Sequence, residues 1–94
     1  MRVKQEMAET YALKALAWMA EDSEIMGQFL GWSGADAADL AQIGSAPEMM
    51  LSVIDFILMQ DEWVIDASAA IGLPPEKFAG LRGAFPGGAE THWQ

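Results

Sequence analysis

Carboxylates are the most plentiful reactive groups in this chain, and Asp55, Asp61, Glu62 and Asp66 form the densest set. Paired carboxylates can hold a divalent cation or divide general acid and base work between them. Their positions favour a plainer role. Asp61 and Glu62 stand where a helix N-cap and a first-turn acid belong, and Asp55 falls on the polar stripe of an apolar helix. The spacing is not that of a calcium loop, and no histidine stands near enough to complete a transition-metal set. His92, the sole histidine, lies beside Trp93 in a C-terminal stretch expected to be loose, whereas a catalytic base needs a fixed position.

Other chemistries find no support. Cysteine is absent, which removes disulfides, thiolate nucleophiles and thiolate metal sites. Ser23, Ser33, Ser45, Ser52 and Ser68 lack the G-x-S-x-G elbow; Ser33, between Trp32 and Gly34, reads as a helix end. Gly80 and Gly83 have no preceding strand, which a phosphate loop requires. No catalytic, cofactor-binding or metal-ligating residue is therefore assigned, and no cofactor is expected.

The charges are arranged unevenly. Between Ala15 and Glu76 there is no Lys, Arg or His, but eleven Asp and Glu. Residues 1–14 and 77–94 each sum to +1, residues 15–76 to −11, and the whole chain to −9. Such a surface repels nucleic-acid phosphates and anionic membranes. With 52% hydrophobic residues the chain is too apolar for a disordered acidic protein, so the acids read as the soluble skin of a folded body. No stretch approaches the roughly 18 apolar residues of a membrane span, and the first residues lack the apolar core of a signal peptide. A cytoplasmic location is the default expectation.

The elements that would position these residues are all helical. A first helix over 4–20 places Ala8, Ala12, Ala15 and Met19 on one face, widened by Tyr11, Leu16 and Trp18. Asp22 caps a second helix carrying Ile25, Met26, Phe29 and Leu30, which Gly34 stops. Asp36 caps a short third helix, with Asp39 three positions on, Leu40 and Ile43 inward, and Gly44 as its stop. Pro47 opens a fourth helix, 47–59, apolar nearly all round except for the stripe Glu48, Ser52 and Asp55, which Met59 would continue. A fifth helix starts near Asp61 and ends at Gly72. A sixth starts at Pro74–Pro75 and fades near Phe85. The expectation is an all-α, compact orthogonal bundle of five to six helices around the central helix 47–59, without strands. One domain would span 1–86, with a disordered tail over 87–94.

Shifting the chain by 38 positions lays residues 22–44 over 60–82. Glu24 then meets Glu62, Gly34 meets Gly72 and Ala41 meets Ala79. Apolar positions also match, as in Leu40 with Phe78 and Ile43 with Leu81. The pattern suggests two helix–turn–helix pairs flanking the fourth helix. That geometry invites a DNA-binding reading, but the third helix offers Asp36, Asp39 and Gln42, the wrong sign for a groove.

The segments ALAWMAEDSEIMGQFLGWSG, DAADL and SVIDFILMQDEWVIDASAAIGLPPEKFAGLRGAFPGG resemble a small alphaproteobacterial family catalogued as a domain of unknown function, family 3572. The resemblance runs from about residue 11 to residue 88. Its most distinctive pieces are Asp55-Phe56 with Asp61-Glu62, and Gly72-Leu73-Pro74-Pro75-Glu76. The family's usual proline after Asp22 and Asp36 is replaced by Ser23 and Ala37, which suit the same caps. The resemblance implies a bacterial, cytoplasmic, helical protein and brings no activity or site residues.

Three functional readings remain. The first is a non-enzymatic protein–protein interaction module. Met7, Met19, Met26, Met49, Met50 and Met59 with Trp18, Trp32 and Trp63 are more bulky side chains than one small core easily hides, and both types are favoured on adaptable or high-affinity surfaces. Its partner would be another protein or a second copy, with Tyr11, Trp18 and Trp32 lining a partly exposed groove. The second is an acidic regulator that occupies the nucleic-acid-binding surface of another protein. The third is a metal-binding protein or enzyme using the Asp55, Asp61, Glu62 and Asp66 carboxylates.

Overall fold

The computed structural model describes residues 5–86. Among these, six α-helices and two 3₁₀ segments form one packed body without strands. Helix α1 (Gln5–Ala20) turns at Asp22 into α2 (Ser23–Ser33), and α3 (Ala37–Ala41) leads through a 3₁₀ turn (Ile43–Ser45) to α4 (Pro47–Ile57). Helix α5 (Asp61–Ile71) and the single turn α6 (Pro75–Phe78) follow, and α6 continues as a 3₁₀ segment, Ala79–Ala84. The disordered tail expected over 87–94, including His92 and Trp93, lies outside the described residues.

The core is built on the alanine face of α1. Ala8, Ala12, Ala15 and Met19 are wholly buried. Three of the four positions are methyl-sized, so neighbouring backbones come close, and α1 packs chiefly against α5 and α4. Helix α4 is the central element. It buries Met50, Val53, Ile54, Phe56 and Ile57, and contacts α1, α2, α5 and both 3₁₀ segments. Phe29, Phe78, Leu81 and Phe85 close the core from the remaining elements.

The termini follow local chemistry. The Asp22 carboxylate accepts from the amides of Glu24 and Ile25 at 3.0 and 3.2 Å. Asp36 and Asp39 form a reciprocal capping box, the two bonds being 2.9 and 3.0 Å. Gly34 and Gly72 end α2 and α5 in the left-handed region, at φ 77° and 79°. There each amide returns to the carbonyl four residues back.

Several boundaries differ from the sequence reading. Helix α3 stops at Ala41, not at Gly44, and Gly44 lies inside the following 3₁₀ turn. Helix α4 ends at Ile57, which leaves Met59 exposed in the turn beyond it. Asp61 is not an N-cap: Gln60 takes that place without a side-chain bond, and Asp61 and Glu62 are first-turn acids. The sixth helix is one α-turn tightened into 3₁₀. Gly80 and Gly83 give little support to a longer α-helix there.

Candidate functional site

The four carboxylates of the candidate cluster do not act together. Asp55 is engaged by Arg82, whose Nε donates to Oδ1 at 2.8 Å and whose Nη2 lies 3.4 Å from Oδ2. The pair joins the middle of α4 to the C-terminal 3₁₀ segment across 27 residues of chain. This hydrogen bond raises the Arg82 pKa above its ordinary value, against a smaller opposing effect of burial. Both side chains remain about one-third exposed, at 34% and 33%. Solvent screening therefore keeps the pair's contribution within about 1 kcal/mol. Asp61, Glu62 and Asp66 are exposed on α5. Among the described residues, no group of three or more His, Cys, Asp or Glu is placed to hold a metal ion.

The three candidate interaction residues fall into two settings. Tyr11 and Trp18 are half-buried on α1. Lys14 Nζ stands 5.9 Å from the centre of the Tyr11 ring. Trp18 lines a surface depression of about 330 Å³ together with Lys14 and Ala17 of α1, Glu21 in the turn after it and Ala70 of α5. Trp32 does not line that depression. Its ring lies 6.4 Å from Phe29 and 5.5 Å from Phe56.

Phe56 is the hub of the aromatic cluster, a role the sequence reading missed. Phe29 meets it edge-on at 5.4 Å, and Trp63 stacks on it at 4.8 Å. Four rings from α2, α4 and α5 thus form one connected group. Three are held within or against the core, whereas Trp32 keeps 49% of its surface exposed. The signal available in sequence was the i, i+3 spacing of Phe29 and Trp32, which puts both on one side of α2. The identity of their common partner depends on how α2 crosses α4. Ring contacts of this kind are worth about 0.5–1.5 kcal/mol each beyond burial, so they hold the Trp32 ring in place.

The described surface has further large apolar side chains. Met59 and Ile65 are each 58% exposed, and Met7 and Leu13 are also exposed. No described helix is long and apolar enough to cross a membrane.

No curated protein and no solved structure matches the chain. A family model does, that of a protein of unknown function, DUF3572, over residues 5–88. That span takes in every described element, and the chain belongs to the DUF3572 family.

Proposed function

We propose that this chain is a non-enzymatic protein–protein interaction module whose partner-binding surface includes the Trp32 face. The observation that carries the reading is a large aromatic ring, half exposed, yet fixed by Phe29 and Phe56. A fixed ring loses little entropy when a partner covers it, and tryptophan is enriched among residues that dominate binding energy.

The test is Trp32→Ala in the full chain, with partner capture from the native host read beside thermal unfolding. Truncation of a half-buried tryptophan with two ring contacts costs about 2–4 kcal/mol of stability, so thermal unfolding identifies the fraction that is folded and capture is read on that fraction. Capture is expected to fall at least tenfold, about 1.4 kcal/mol of binding free energy or more. Undiminished capture by the folded variant overturns the role of Trp32. If capture ignores Trp32 but collapses as salt is raised, the acidic-regulator reading replaces this one.

A further inference from the structure

We infer that the depression between α1 and α5 is a self-association site, in which a second copy of this chain docks its own α1 antiparallel across a two-fold axis. The inference rests on the interaction reading but not on Trp32. It starts from the ends of the depression. Lys14 and Glu21 both line it, with Ala17, Trp18 and Ala70 between them. Lys14 lies on α1 and Glu21 in the turn that directly follows it, where its amide still bonds the Trp18 carbonyl at 3.2 Å, so the two charges sit about 10 Å apart along the axis, too far to pair with each other.

Neither charge has an oppositely charged neighbour three or four positions away, and Lys14 Nζ stands over the Tyr11 ring at 5.9 Å. The positions three and four before Lys14 are Tyr11 and Thr10, and those after it are Ala17 and Trp18. Before Glu21 stand Trp18 and Ala17. Among the described residues neither forms an ion pair. An opposite charge at each end of a small-residue strip is self-complementary under two-fold symmetry. An axis passing between Ala17 and Trp18 sets Lys14 of one copy against Glu21 of the other, twice. Ala17 and Ala70 allow the backbones to approach, and Trp18 supplies apolar area at the centre. The strip is short, so the dimer is weak, with a dissociation constant on the order of micromolar.

The charge of the chain makes the test selective. Two copies at −9 repel each other, so salt would weaken the two pairs and the general repulsion together. Charge exchange separates these effects. Lys14→Glu makes each chain more negative, whereas Glu21→Lys makes it less negative. If repulsion alone governed association, Glu21→Lys would strengthen it. If the two pairs govern it, each single exchange sets like charges against each other and weakens association.

The experiment is sedimentation equilibrium of the full chain and three variants over a wide concentration range, with helicity checked by circular dichroism. Both positions are exposed, so the fold is retained. The expected result is a reversible dimer, weakened about tenfold or more by Lys14→Glu and by Glu21→Lys alone, and restored to within about threefold by the double exchange. A monomer throughout the range, a strengthened Glu21→Lys dimer or an unrestored double variant each overturns the inference. Sedimenting Trp32→Ala in parallel separates the two surfaces: loss of host-partner capture with the dimer intact removes neither proposal, whereas a wild-type monomer with Trp32-dependent capture removes only the dimer.

Discussion

Helices α2 and α3 and helices α5 and α6 are written in the same local language but do different amounts of structural work. At the 38-residue offset Gly34 corresponds to Gly72, and both end their helices at almost the same φ. Beyond those stops the halves diverge. Helix α5 buries Ala67, Ser68 and Ile71, and α6 with its 3₁₀ extension buries Phe78 and Leu81. Helix α2 buries only Phe29, and α3 buries nothing. Helices α5 and α6 also pack on each other, and α2 and α3 form no comparable contact. Caps and stops therefore fix where helices end, whereas how each helix packs on its neighbours decides how much of it joins the core. Small residues on α5 let it lie close along α1. The bulky Phe29 and Trp32 let α2 anchor on Phe56 and leave part of its surface open.

The equivalent positions Leu40 and Phe78 give the largest test of that contrast. Phe78 is wholly buried and Leu40 only half-buried. Phe78→Ala is expected to cost about 3–5 kcal/mol, and Leu40→Ala about 1 kcal/mol. Urea unfolding midpoints would measure both, provided that the slopes are unchanged. Losses of similar size would show that the α3 region is as integral to the core as α6.

Gly34 and Gly72 probe the language the halves share. No atom beyond the adjoining residues lies within 4 Å of where a Cβ would stand at either position, so alanine there meets no other part of the fold. The cost comes from left-handed backbone alone, about 1–2 kcal/mol at each site. Thermal unfolding of Gly34→Ala and Gly72→Ala should show nearly equal losses despite the unequal burial of the surrounding helices. A clearly larger loss at Gly72 would mean that the stop does more than terminate a helix.

The sequence made these helices legible because capping and stopping are local. Asp22, Asp36, Asp39, Gly34 and Gly72 each act within four residues, and all behave as their chemistry dictates. The alanine face of α1 was equally readable, since its period is the helix's own. What depended on tertiary arrangement was hidden. The Asp55–Arg82 pair spans 27 residues and the four-ring cluster joins three helices, so no local pattern announces either. Asp61 failed as a cap for a local reason. The chain is already helical at Asp61, so Gln60 holds the cap position, and it makes no side-chain bond there.

The smallest expected effect lies at Ser68, buried on α5. Ser68 is wholly buried and its Oγ has no hydrogen-bond partner among the described residues, while its carbonyl accepts from the amides of Gly72 and Leu73, both at 3.0 Å. At the same offset α2 carries Leu30, a larger and half-buried residue. The buried face of α5 thus admits a small side chain here but does not satisfy its hydroxyl. A buried, unpaired hydroxyl forgoes its bonds to water and costs about 1–3 kcal/mol, part of which Ser68→Ala recovers. Alanine also favours the helix more than serine does, whereas the void left by one oxygen opposes the gain. The net expectation is a stability unchanged or raised by up to about 1 kcal/mol, read as a melting temperature that holds or rises by a few degrees. A fall of similar size would mean that the hydroxyl is satisfied after all. The packing of α5 would then depend on a polar contact as well as on small side chains.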